Sequence, residues 1–223
     1  MQCHLVVHET SLPYIRKLVD FLRTAMTAEH GSLAFHVVAE RVEDARIEAP
    51  AIVYVIGEQL PPFPRRAGIF HAYLNFSVVA PIGNPFAMSL GGAALIWRKR
   101  QMLKRKLASV DAVPDYYPAQ TRALQRRLAI PVLGFLPCSS PPDRDPLPLE
   151  QREFDLCFVG GVSPRRQRVL DQARAVGLSL SPERGADLEV LSARSRLTLN
   201  VHMKASNHLE IPRIIGALST HTP

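Results

Sequence analysis

The sequence predicts a layered α/β protein divided into two domains. Three observations predict it. From the first residues onward, short apolar runs alternate with amphipathic stretches, which is the grammar of strand, helix, strand rather than of a bundle or a sandwich. The stretch Asp155-Leu156-Cys157-Phe158-Val159-Gly160-Gly161-Val162-Ser163-Pro164 repeats that grammar as a buried strand, a glycine turn and a helix start. Between the two lies Pro137 to Pro148, a proline-rich polar segment that resists helix and sheet alike. The domains are therefore expected at 1–136 and 153–223, with 137–152 as the linker.

Taken in order, Cys3 to Val7 reads as the first strand. Beyond Pro13, the residues Ile15, Leu18, Val19, Leu22 and Met26 recur at steps of three and four, giving an amphipathic helix with Arg16, Lys17, Asp20 and Arg23 outward. His30-Gly31-Ser32 ends it. Leu33 to Ala39 and Ala51 to Ile56 are the next strands, and His36 reads as a structural member of the first of these. Gly57-Glu58-Gln59 opens a loop at a strand end, where a cleft begins in this fold class, so Glu58 is either a cleft carboxylate or a cap. Phe70 to Val79 is crowded with aromatic and apolar residues. Ala93 to Leu107 is a helix carrying Arg98, Lys99, Arg100, Lys104, Arg105 and Lys106. Its plain reading is a solvated face. The alternatives are an anionic membrane surface and, less supported because no RRM, KH, zinc-finger or helix-turn-helix pattern accompanies it, nucleic acid. Val110 to Val113 is a short apolar segment and Pro114 to Pro118 interrupts the pattern. Thr121 to Leu128 follows as a basic helix, and Ile130 to Leu136 as a strand.

In the second half, the turn at Gly160 and Gly161 lies where open α/β sheets bind ligands. The free N–H groups of the helix that Ser163 caps, and its dipole, suit an anion, with Arg165, Arg166 and Arg168 close by. An ordinary tight turn feeding a helix is the alternative, because the glycines match neither a dinucleotide fingerprint nor a phosphate loop. Val169, Leu170, Ala173 and Val176 continue that helix and Gly177 caps it. Leu178 to Leu180 is a brief strand and Ala186 to Ala193 a short helix. Leu197 to Val201 is a strand with Asn200, His202 and Lys204 at its polar edge. Asn207 to Leu218 is the last helix, with Pro212 near its start.

With 47% hydrophobic residues the chain has ample material for a core, and its formal charge of +7 attracts anions without selecting among them. Cys3, Cys138 and Cys157 are scattered and odd in number, against a disulfide framework and a metal knuckle, and Cys157 reads as an apolar filler of a buried strand. No metal site is expected. No apolar run is long enough to cross a bilayer and no secretory signal opens the chain, so a cytoplasmic location is expected, with peripheral membrane contact through 93–107 as its variant.

Three segments carry a family resemblance. Val113-Pro114-Asp115-Tyr116-Tyr117-Pro118-Ala119-Gln120, Phe154 to Arg168, and Leu197 to Leu218 with Asn200, His202, Asn207, Glu210, Pro212 and Arg213 together resemble the spore-coat-associated branch of the family-1-like glycosyltransferases. That resemblance implies two Rossmann-like domains of GT-B type, the second incomplete, since a strand and a serine-glutamate segment that the family carries do not follow Leu218. It implies transfer of a sugar from a nucleotide-diphosphate donor to an acceptor hydroxyl, with no further cofactor. By position, Asp115, His202 and Glu210 are the expected catalytic residues. Gly160, Gly161, Arg165, Asn200, Asn207 and Arg213 are the expected donor contacts. The family has asparagine where Gln120 stands and a second glutamate where Gly216 stands. The competing expectations are an inactive, truncated member of that family and a basic protein that binds a membrane surface or nucleic acid. Residues Glu210 and Arg213, three apart on a helix, also read as a simple surface pair.

Overall fold

The structure, a computed structural model, describes residues 1–57, 59–76, 97, 101–135, 138, 147–181, 188–201, 211–220 and 222. The chain forms two compact units, Met1–Ser11 with Arg23–Leu136, and Leu12–Leu22 with Pro137–Pro223. Both are α/β, and among the described residues every strand pairing is parallel, as in Rossmann-like folds.

In the first unit, β1 (Gln2–His8) is flanked by β2 (Ala34–Val38) and β3 (Ala51–Ile56), and β4 (Ile69–Tyr73) follows β3, giving the order β2-β1-β3-β4. Cys3, Leu5, Val6 and Val7 are all buried, because a strand in the middle of a parallel sheet is covered on both faces. The ladder continues beyond β4 through single bridges to β5 (Val113–Asp115), which pairs with β6 (Val132–Gly134). Sequence reasoning treats Pro114 as an interruption. It is tolerated inside β5 because its carbonyl supplies the bond to the neighbouring strand, accepting from the Asn75 N–H at 2.9 Å. The core joins Val6, Val53, Val55, Tyr73, Val110 and Val113.

The helix α1 (Leu12–His30) stops at Gly31, where the sequence places its end, and the φ of 76° there makes it a left-handed cap. It bends at Ile15, which is outside helical geometry. Its first half, Leu12–Leu22, groups with the second unit. That grouping corrects one expectation: Lys17 is not outward but 7% exposed, its ammonium 3.6 Å from the carboxylate of Glu189. The helical residues 101–107 form α2, of which Lys104 and Arg105 are exposed while Lys106 is buried. The solvated face expected there therefore excludes Lys106. Arg98, Lys99 and Arg100 lie outside the described residues. The helix α3 (Pro118–Gln125) follows β5.

The second unit has β7 (Phe154–Cys157) paired with β8 (Ser195–Thr198), and Leu180 bridging to Leu156 on the other side. The helix α4 (Pro164–Ala175) follows β7, α5 (Leu188–Ala193) precedes β8, and α6 (Ile211–Ser219) packs on α5. Cys157, Val159, Leu188 and Leu191 form its core, with Cys157 fully buried as expected of a filler. The strand expected at Leu197 to Val201 begins earlier, at Ser195. Ser195 is buried, its carbonyl accepting from Arg152 Nη1, and a polar start of this kind is invisible to hydrophobicity. Arg152 also donates to Leu147 O, Thr222 Oγ1 and Thr220 O, so the final residue of the proposed linker is a buried tie inside this unit. Among the described residues no helix is long and apolar enough to cross a membrane.

Candidate functional site

Sequence reasoning centres on the turn after β7, and the structure builds it from three local causes. Gly160 has φ of 140°, a backbone region that disfavours any side chain, which explains the glycine at this point of the turn. Ser163 caps α4 by accepting from the Arg166 N–H, and Pro164 occupies the first turn, where no N–H partner is required. Arg165 and Arg168 project into solvent beside that helix start.

Arg166 does something different. It is 3% exposed, with Nη1 donating to Gly161 O at 2.7 Å and Nε donating to Val201 O at 2.7 Å, and its guanidinium lies 5.2 Å from the centre of the Phe158 ring. One side chain thus ties the glycine turn to the segment leaving β8. The two strand ends are neighbours in any case, since Cys157 pairs with Thr198 and the Leu199 N–H donates to Cys157 O at 2.8 Å. Gly160, Gly161 and Asn200 therefore share one carboxyl edge, and Gly161 is exposed there. Of the arginines expected to line an anion, Arg166 is committed to carbonyl oxygens and Arg165 and Arg168 are not buried.

Asp115, expected as a base on the acceptor side, stands at the carboxyl end of β5 and is 0% exposed. Its Oδ2 accepts from Asn75 Nδ2 and Gln120 Nε2, both at 2.6 Å, while Oδ1 accepts from the Tyr117 N–H at 2.8 Å and Thr121 Oγ1 at 3.2 Å. A carboxylate held by four donors and cut off from solvent organises the β5 to α3 turn. It presents no free lone pair toward an acceptor. Gln120, at the family's asparagine position, is one of those four donors.

Sequence reasoning missed a second edge feature in the first unit. β1 and β3 are adjacent while the chain turns from β1 to β2 on the opposite side, so the carboxyl ends of β1 and β3 form the switch point at which such sheets bind ligands. There the buried Lys106 Nζ donates to Gly57 O at 2.9 Å and lies 5.0 Å from the Tyr73 ring centre. His8 Nδ1 accepts from the Thr10 N–H at 3.2 Å. Gly57 fits so closely that an added Cβ would lie 2.7 Å from His8 Cβ. No local pattern in the sequence marks Lys106, because it belongs to a run of cations that reads as surface.

The remaining expected residues divide simply. His202, Asn207, Glu210 and Glu58 lie outside the described residues, as does the side chain of Arg213, whose backbone belongs to α6. Gly216 is buried in α6, and a Cβ there would meet Leu188 Cδ2 at 2.8 Å. Among the described residues no group of three or more His, Cys, Asp or Glu converges as a metal cluster. A hollow in the first unit is lined by Val42, Glu43, Phe63, Arg66 and His71. His71 Nδ1 is buried there without a hydrogen-bond partner among the described residues, and burial is the largest influence holding the imidazole pKa below its ordinary value, although Asp111 pulls upward. Asp155 is shifted the other way, held below the usual carboxylate range mainly by the Ser179 N–H and hydroxyl. The chain matches no family model and no curated protein.

Proposed function

We propose that the chain is a nucleotide-sugar glycosyltransferase of GT-B type, with the donor diphosphate held at the Gly160-Gly161 turn. The observation that carries this reading is the shared carboxyl edge. An exposed glycine turn, a capped helix start and the end of β8 lie together in one parallel pair, supporting an anion site of the kind the family resemblance implies. Arg165, exposed at the first turn of α4, is the cation nearest in sequence to that turn without a buried commitment, and the helix dipole adds to it. In the reaction the acceptor oxygen forms a bond to the anomeric carbon as the bond from that carbon to the diphosphate oxygen breaks. The departing charge is stabilised by oriented N–H groups and arginine. The acceptor proton passes to a basic side chain, for which the resemblance offers His202 and Glu210 and for which Asp115 is not free. Asn200, Asn207 and Arg213 complete the proposed donor contacts.

A second reading, a nucleotide-sugar binder without transfer, is favoured by Gly216. The family resembled has its second carboxylate at that position, where this chain has none and where any side chain would have to displace Leu188 Cδ2, 2.8 Å from an added Cβ. A thermal-shift series with UDP-, GDP- and TDP-sugars tests both. Ligand at about 100 times its Kd stabilises a fold by about 2.7 kcal/mol, so a rise in melting temperature is expected with one nucleotide class and its loss with Arg165→Ala. Release of nucleoside diphosphate in the presence of acceptor selects the transferase. Stabilisation without release selects the binder, and no stabilisation at millimolar ligand removes both.

A further inference from the structure

The positive charge of the chain is concentrated in one stretch of the first unit. Residues 97–135 hold nine Lys and Arg against two Asp, and with 27 cations and 20 acids overall the rest of the chain balances. The formal excess of +7 therefore belongs to this stretch alone. Neither Asp offsets it at the surface, because Asp111 is engaged by Arg65 and the His71 N–H, and Asp115 is enclosed by its four donors.

Two helices display that charge. In sequence α2 precedes β5 and α3 follows it, and Leu103, Leu107, Leu124 and Leu128 enter one core with Val113 and Val132. Successive right-handed crossovers along a sheet put their helices side by side on the same face. Away from the core stand Lys104 and Arg105 on α2, Arg122 on α3, and Arg126 and Arg127 where α3 ends, all of them exposed. None of these five side chains takes part in an ion pair or hydrogen bond among the described residues. Lys106 is excluded from the set, since it donates to Gly57 O.

Apolar surface accompanies the cations. Trp97, four residues before α2, is 64% exposed, and Met102 on α2 is 40% exposed. An indole has an apolar body and a polar N–H, which suits the boundary between lipid and water. Single-stranded nucleic acid is instead gripped in a groove lined by several stacking aromatics. Trp97 is the one exposed aromatic of residues 97–135 among those described.

We propose that the outward face of α2 and α3 docks the protein on an anionic phospholipid bilayer. Lys104, Arg105, Arg122, Arg126 and Arg127 meet the headgroups, and Trp97 enters the interface. Charge complementarity supplies the attraction and the exposed indole and thioether supply the apolar contact. Docking of this kind is independent of sugar transfer.

Flotation of the full chain with vesicles of phosphatidylcholine, and of phosphatidylcholine mixed equally with phosphatidylglycerol, tests the face. Association with the anionic vesicles alone is expected, with release at about 1 M NaCl, where the screening length falls to about 3 Å. A basic side chain at such a surface strengthens partition about fivefold. Lys104→Gln with Arg105→Gln, and Arg122→Gln with Arg126→Gln, are each expected to weaken it about 25-fold. Arg41→Gln with Arg46→Gln, which removes the same charge from exposed positions elsewhere on the first unit, is expected to leave it unchanged. Because Trp97 is the single Trp of the chain, its fluorescence reads the contact directly. Anionic vesicles are expected to shift its emission to the blue and shield it from acrylamide. Unshifted emission, or equal losses in the helix variants and the Arg41 and Arg46 control, would overturn the proposal. Binding of a single-stranded oligonucleotide without vesicle association would overturn it in favour of nucleic acid.

Discussion

Asp115 and Arg166 both belong to segments that the sequence singles out, and both have their capacity engaged inside the fold. For Asp115 the four donors come from Asn75, Tyr117, Gln120 and Thr121. Three of these are near it in sequence and legible as part of one motif. Asn75 lies forty positions away and becomes a partner only when β4 and β5 align. Asp115→Asn sets an NH₂ group against donors that now meet an oxygen, and buried donors left unpaired cost about 1–3 kcal/mol each. The expected outcome is a loss of about 2–3 kcal/mol in urea denaturation. A variant of full stability with abolished sugar transfer would instead make Asp115 a base. The contrast between Arg165 and Arg166 has the same origin. Consecutive residues at a helix start point in different directions, so one meets solvent and the other meets Gly161 O and Val201 O. Composition gives both the same attraction to anions.

At the scale of elements, amphipathic spacing and terminal signals locate α1 and its stop at Gly31, and the apolar run locates β3 at the residues expected. Some differences have identifiable reasons: β5 contains a proline, β8 starts on a buried serine, and Lys17 of α1 is buried beside Glu189. Each difference depends on a partner distant in sequence. The contact between α5 and α6 supplies a quantitative case. Gly216 weakens the interior of α6 by about 1 kcal/mol relative to alanine. Yet its missing Cβ is what lets Leu188 approach, and Leu188 is itself packed with Cys157, Val159 and Leu191. Overpacking a core costs about 1–3 kcal/mol, so Gly216→Ala is expected to be net destabilising by about 1 kcal/mol despite the better helix former. In a Leu188→Ala background the same change is expected to stabilise. A stabilising effect in both backgrounds would show that the two helices do not meet closely at this point.

For the molecule as a whole, shifted groups set two acid windows, one from His71 together with His4 and His36, which burial lowers in the same direction, and one from Asp155. His71 has a lowered pKa, so below the unfolded value of 6.5 the unfolded chain takes up a proton that the folded chain resists, and stability falls as pH falls. Asp155 is lowered by its bonds to Ser179, so its contribution is present above the ordinary 3.8 and lost as pH falls through its lower folded value. Denaturation midpoints are expected to drop between pH 7 and pH 5.5, and His71→Phe to make that part of the profile shallower, His4 and His36 supplying the remainder. An unchanged slope in that variant would show that His71 titrates alike in both states. Residue order settles the α/β class, the strand and helix grammar, the stop of α1 at Gly31 and the glycine turn after β7. These follow from apolar periodicity and from backbone preferences that act within a few residues. Tertiary structure alone decided that Asp115 is enclosed, that Arg166 bridges two strand ends, that Lys17 and Lys106 are buried, and that His4 faces His36. Each of these depends on which distant segment lies alongside, and a charged or polar side chain has no fixed burial until its partners are in place.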